Sequence, residues 1–258
     1  MTSALHASRG GREGEPSLLL VHPMGADHTF WDECRREWER SFHCVAVDLR
    51  GAGRSPALTA PRTVETHAAD LEAFCATQGL GRVVVVGCAV GAMIAAAFAA
   101  RSGDRCAAAI LSNPGYRTLP EARSALAGRA AEVRKHGMIA ASGAVDRSFE
   151  GHPDREQVER YRRHFLAQDA EAYALQIEGM LDADVSGALA AIECPTLVVG
   201  GGRDRLLPLE HAQQAVAVLQ DGDLVVVPEA AHFTPYQYPG LFAGLVLDFL
   251  ARRDIRPT

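Results

Sequence analysis

Along the chain, short runs of consecutive apolar residues are separated by stretches in which apolar positions recur every three or four residues. The runs at 17–21, 43–48, 83–86, 107–111, 196–200 and 223–227 are too short for helices and too uniformly apolar for strands with one wet face. They predict strands buried on both sides of a sheet. The stretches at 31–40, 64–78, 90–100, 209–219 and 239–252 predict helices between them. Residues 1–16, rich in Gly, Arg, Ser and Glu, predict a frayed end or one irregular strand. From 119 to 189 the alternation stops, and four helical patterns at 121–136, 138–149, 154–167 and 169–181 follow one another with no strand between them. Strands alternating with helices imply an α/β fold with a mostly parallel sheet, helices on both faces and ligands at the strands' C-terminal ends. A helical block inserted into such a chain predicts a cap over that edge. The expected organisation is therefore a core of residues 1–118 and 190–258 and a helical cap of residues 119–189.

Composition narrows the function classes. The 258 residues are 48% hydrophobic and 22% charged, enough for one large, well-buried domain. A net charge of −6 with no long basic run argues against nucleic acid and against an anionic membrane surface as partners. The polar N-terminus lacks a basic-then-apolar signal pattern, and the longest apolar run, around 89–100, is too short to span a bilayer. The expectation is a soluble, cytoplasmic protein. Its six cysteines, at 34, 44, 75, 88, 106 and 194, form no C-x-x-C pair, so free thiols are expected. Ten histidines include no H-E-x-x-H pattern, and neither a metal nor another cofactor is indicated. Nothing in the pattern specifies an oligomeric state.

The chemistry concentrates at one strand-to-helix junction. Val83-Val84-Val85-Val86-Gly87-Cys88-Ala89-Val90-Gly91-Ala92-Met93-Ile94 is a β-branched run that breaks at a glycine and becomes a small-residue helix within four residues. Four further features fall at predicted C-terminal strand ends: His22-Pro23-Met24-Gly25, the Asp48-to-Ser55 loop, Gly202-Arg203-Asp204 and Ala231-His232. With these features in this order around a helical insertion, residues 17 to 250 resemble the α/β-hydrolases. The nearest likeness is to the branch of 3-oxoadipate enol-lactonases and small esterases. The resemblance makes the junction a nucleophile elbow, G-x-Nu-x-G, whose glycines allow a tight turn that holds the central side chain out. Centring the elbow on Cys88 would put β-branched Val86 and Val90 at the flanks. Centring it on Ala89 puts Gly87 and Gly91 there, so Ala89 takes the nucleophile position and Cys88 reads as a buried packing residue.

The family pattern expects serine where this chain has Ala89, and a methyl group cannot attack a carbonyl. The other members of the expected triad are Asp204, after the penultimate strand, and His232, after the last. Asn113 occupies the alternative acid position, which supports Asp204. The oxyanion hole is expected from the backbone N–H groups of Met24 and Val90. His22 either orients the first loop or packs beneath it. The implied substrate is a small ester or lactone, in a pocket lined by Trp31, Tyr116, Phe233 and Tyr236. Enol-lactones carry a carboxylate, so Arg117, Arg134 and Arg147 are candidates to point inward. A thioester is the alternative substrate. The alanine itself has three readings: a substitution of the natural serine that traps substrate or product, a natural residue in an enzyme using the His232–Asp204 pair alone, or a mark of a ligand-binding module.

Overall fold

The computed structural model describes residues 5–257. Seven strands, β1 (Ala7–Gly10), β2 (Ser17–Val21), β3 (Cys44–Val47), β4 (Val83–Cys88), β5 (Cys106–Ser112), β6 (Thr196–Gly201) and β7 (Gly222–Val227), form one sheet in the order β1-β3-β2-β4-β5-β6-β7. Side chains alternate between its faces. Leu18 and Leu20 join Val84, Val86 and Ile110 in one apolar cluster, while Leu19 and Val21 join Val83, Val85 and Leu111 in the other. With both faces dry, the central strands carry no polar alternation. Every pairing is parallel except that of β1 with β3, which runs antiparallel from Ala7↔Val47 to Gly10↔Cys44. The single strand anticipated within residues 1–16 is thus β1, at the sheet's edge, and residues 1–4 lie outside the described ones.

Helices α1 (Asp32–Trp38), α2 (Val64–Thr77) and α3 (Val90–Ser102) connect the first strands. Helix α3 is nearly all small apolar residues, with Ala92, Ala95, Ala96, Ala97 and Ala99 buried, so its backbone lies close to the sheet. Between β5 and β6 come α4 (Pro120–His136), α5 (Ser142–Ser148), α6 (Arg155–Leu166), α7 (Ala170–Gly179) and the short α8 (Ser186–Ala190). The stretch expected as one helix over 138–149 is split into a 3₁₀ turn at Met138–Ala141 followed by α5. Asp154 and Asp169 cap α6 and α7 by accepting from the backbone N–H groups of Gln157 and Ala172. Tyr161 and Phe165, one turn apart on α6, are both buried. The excursion leaves and returns side by side: Arg117 and Asp184 form an antiparallel bridge, and Thr118 N–H donates to the Ala183 carbonyl at 2.8 Å. The chain ends with α9 (Leu209–Val218), α10 (Thr234–Gln237) and α11 (Pro239–Arg252).

The loop after β3 is built around one buried carboxylate. Asp48 Oδ1 accepts from the backbone N–H of His28 and faces its Nδ1, both at 2.8 Å. Oδ2 accepts from the backbone N–H of Arg54 at 2.9 Å and faces His6 Nδ1 at 2.7 Å. These side chains lie close enough to share an ion, but hydrogen bonds already fill the carboxylate's four lone-pair directions. Burial opposes ionisation of Asp48, yet the N–H groups of Arg54 and His28 and the His28 ring outweigh it and hold the carboxyl below its ordinary range. Truncation would orphan two backbone donors and two imidazoles. Asp48→Ala is therefore expected to lower stability by about 3 kcal/mol in urea unfolding, whereas a loss within about 0.5 kcal/mol would show that the loop holds without it.

Candidate active site

The turn between β4 and α3 is forced by its glycines. A Cβ on Gly91 would stand 2.3 Å from the Val21 carbonyl oxygen, and one on Gly87 would stand 2.2 Å from the Gly91 oxygen. No side chain fits at either position, so the strand passes into the helix with almost no clearance. Between them Ala89 is held at φ 52°, ψ −118°, a conformation that costs a residue with a Cβ roughly 1–3 kcal/mol. Nothing about a methyl group requires that pose. The neighbouring Cys88 is fully buried, and burial raises its thiol well above the usual range. It packs under the turn, as its register implies.

Asp204 and His232 come together in front of this turn. Asp204 Oδ2 accepts from His232 Nδ1 at 2.9 Å, and its Oδ1 accepts from the backbone N–H groups of Leu206 and Leu207, each at 2.9 Å. The carboxylate is an obligate acceptor, which puts a proton on the histidine's Nδ1, so in the neutral ring Nε2 is the lone-pair nitrogen. Burial works against the Asp204 charge, but His232, the Leu207 N–H and Asn113 together keep its carboxyl below the ordinary range.

Asn113 was legible only as a missing acid, and it has a role of its own. It sits at φ 49°, donates from Nδ2 to Asp204 Oδ2 at 3.0 Å and to the Ala231 carbonyl at 2.9 Å, and accepts at Oδ1 from Ser112 and Thr234. One amide therefore holds both the acid and the loop that carries the histidine. His22 has a comparable function in the first loop. Its Nδ1 donates to the Pro23 carbonyl at 2.8 Å while Nε2 accepts from the Leu49 N–H at 2.9 Å, and burial lowers its pKa, so the ring is a neutral brace. The brace fixes the segment carrying Met24. The backbone N–H groups of Met24 and Val90 make no hydrogen bond to another described residue. Val90 also begins a helix of 13 residues, whose positive end favours an anion.

A cavity of about 340 Å³ opens at this point. Met24, Ala89, Val90 and His232 form its floor, and Arg117, Arg147 and Phe233 belong to its wall. Four of the aromatic or basic candidates are elsewhere. Trp31 is fully buried among Trp38 and Phe242, a core position. Tyr116 lies under the Arg117 guanidinium and borders a separate groove beside α9. Tyr236 stacks on Phe30 and lines a neighbouring depression. Arg134 points away, paired with Glu171 and Glu178. The wall instead includes residues that the sequence did not single out: Arg129, Tyr161, Phe165, Tyr173 and His211. The Arg129 guanidinium stands by the buried Tyr173 phenol, and the Tyr161 hydroxyl is buried with no hydrogen-bond partner among the described residues. Arg129 and Arg147 form no ion pair with a described carboxylate, unlike Arg205, which pairs with Glu150.

Residues 18–245 match the sequence profile described as the Alpha/beta hydrolase family. The 3-oxoadipate enol-lactonase 2 of Acinetobacter baylyi is 25% identical over 93% of this chain and 90% of its own length. Among solved structures, a thermophilic esterase from Thermogutta terrifontis, determined with malate bound, superposes with a TM-score of 0.88 at 30% identity, covering 98% of this chain and 94% of its own. The enol-lactonase from Burkholderia xenovorans superposes with a TM-score of 0.89 at 26% identity, covering 96% of each chain.

The depressed pKa of Asp204 fixes the sign of one pH effect. Its stabilisation is complete above the ordinary carboxylate pKa and is lost as pH falls through the lower folded-state value. The melting temperature is expected to fall steeply below about pH 4, and the Asp204→Asn variant to show a shallower acid limb. Parallel acid limbs in the two proteins would contradict the assignment.

Proposed function

The chain belongs to the alpha/beta hydrolase family, and from that premise we propose that its site is shaped for hydrolysis of a small carboxylic ester or lactone, with residue 89 as the point of nucleophilic attack. The observation that carries the reading is the pose of Ala89. It is held at a strained positive φ by two glycines with no room for a Cβ, on the floor of the same cavity as His232, which Asp204 holds from behind. With a serine at this position, His232 Nε2 would take the hydroxyl proton as the oxygen attacks the carbonyl. Asp204 would hold the ring and stabilise its cationic form. The N–H groups of Met24 and Val90 would receive the oxyanion, and water would then release the acyl group. The alanine leaves the binding surface, the base and the donors in place and removes only the nucleophile.

Residues 119–189 act in this reading as a cap over the carboxyl edge of the sheet, supplying Arg129, Arg147 and Tyr161 to the cavity wall. A volume of about 340 Å³, near the low end for ligand pockets, favours a compact ester or lactone over a carrier-bound thioester. Arg129 and Arg147, without carboxylate partners among the described residues, favour a substrate that bears its own negative charge. A second reading rests on the intact pair itself: His232 and Asp204 acting on a bound water or an acidic substrate proton, with alanine as the working residue.

Turnover of a short-chain p-nitrophenyl ester and a small lactone panel separates these. Ala89→Ser is expected to exceed the parent by at least about 10³-fold, and His232→Ala in that background to remove the gain. A serine variant no faster than the parent would sink the hydrolase reading, and His232-dependent lactone turnover by the parent would favour the second.

A further inference from the structure

The cysteine pair Cys106–Cys194 lies at the opposite end of the sheet from the site. Cys106 opens β5, whose other end carries Ser112 and leads into Asn113, and Cys194 stands two residues before β6. These strands are parallel neighbours, and the Ala109 N–H donates to the Pro195 carbonyl at 3.0 Å, which keeps their N-terminal ends abreast. The two Sγ atoms are 3.6 Å apart. Cys106 is buried, while Cys194 is partly exposed and open to a small oxidant. We propose that Cys106 and Cys194 are a thiol pair poised to form a reversible disulfide, with a hydroperoxide as the oxidant.

Hydrogen bonding to Cys106 lowers the Cys194 thiol, whereas that same contact and burial push Cys106 up, so Cys194 reacts first. Its thiolate attacks one peroxide oxygen: the O–O bond breaks, an S–O bond forms, and hydroxide leaves to yield the sulfenic acid. The Cys106 sulfur then displaces that oxygen as water, forming the S–S bond. Two thiols and one hydrogen peroxide give one disulfide and two waters. Closing the sulfurs to about 2.0 Å asks for a shift of roughly 1.5 Å shared between two side chains.

The location gives the bond a consequence. β5 leads into the helical excursion and β6 receives the chain from it, so the bridge would close a loop containing all of residues 119–189. Such a large loop loses much of its unfolded-state freedom when tied. Oxidation would staple the base of the helical layer without touching the cavity, and an exchanging dithiol would release it.

The test exposes the folded 258-residue chain, free of reductant, to hydrogen peroxide, removes the peroxide, and then applies alkylation in denaturant, intact mass and peptide mapping. The expected result is a Cys106–Cys194 peptide and two of the six cysteines protected from alkylation. Dithiothreitol should restore all six, and the melting temperature of the oxidised form should rise by roughly 5 °C. Cys194→Ser should abolish the linkage, and Cys106→Ser should leave a sulfenic acid at Cys194 that dimedone traps. Six alkylated cysteines after peroxide, overoxidation of Cys194 without a linked peptide, or linkage only after unfolding would each overturn the proposal.

Discussion

The backbone at residue 89 is bent between two glycines that have no room for a Cβ, and the rest of the site is arranged around that bend. The Gly91 backbone presses against the Val21 and His22 carbonyls, which fixes α3 against the end of β2. That contact brings the first loop, with Met24, beside the N-terminus of α3, with Val90. Two free N–H groups and one outward-facing side-chain position thus share a single cavity floor. A strained residue persists only where its surroundings over-determine it. Here the apolar β4 strand on one side and the alanine-rich helix on the other supply that determination.

Around the bend, the buried side chains of Asp204, Asn113 and His22 are satisfied. Asp204 accepts four hydrogen bonds, Asn113 ties it to the Ala231 carbonyl, and His22 bridges two loops as a neutral ring. Each network is costly to leave half-made and rigid once complete. The cavity wall differs. Among the described residues, Tyr161 keeps a buried hydroxyl with no hydrogen-bond partner, and Arg129 and Arg147 have no carboxylate partner. The acid and the histidine loop are braced by the protein, whereas the floor's two backbone N–H groups and the wall's side chains have donors left over for a ligand.

Much of this was legible from sequence because it depends on spacing. Glycines two residues either side of Ala89 decide the elbow's register, and unbroken valine runs mark doubly covered strands. The family resemblance, applied to the places after the last two strands, singles out Asp204 and His232, whose side chains meet at 2.9 Å. What was not legible depends on which way a side chain turns. Trp31, Tyr116 and Tyr236 are aromatic residues near the right loops, but a large ring satisfies a core as well as a pocket, and the core took Trp31. Arg129 sits on α4, whose largely polar sequence reads as a solvated face, and only the packing of α4 against α7 brings it over the cavity. Asn113 reads as an absent acid because its value lies in two hydrogen bonds to residues about 90 and 118 positions away.

The central claim is that position 89 presents a side chain to His232 in a pose suited to attack. Reaction with an alkyl fluorophosphonate, followed by intact mass and peptide mapping, reads that pose without needing the natural substrate. The account predicts one phosphonyl adduct per Ala89→Ser chain, located at position 89, lost when His232→Ala is added, and none on the parent. An Ala89→Ser chain that stays unlabelled while folded, or a label that falls elsewhere and survives the loss of His232, would contradict it.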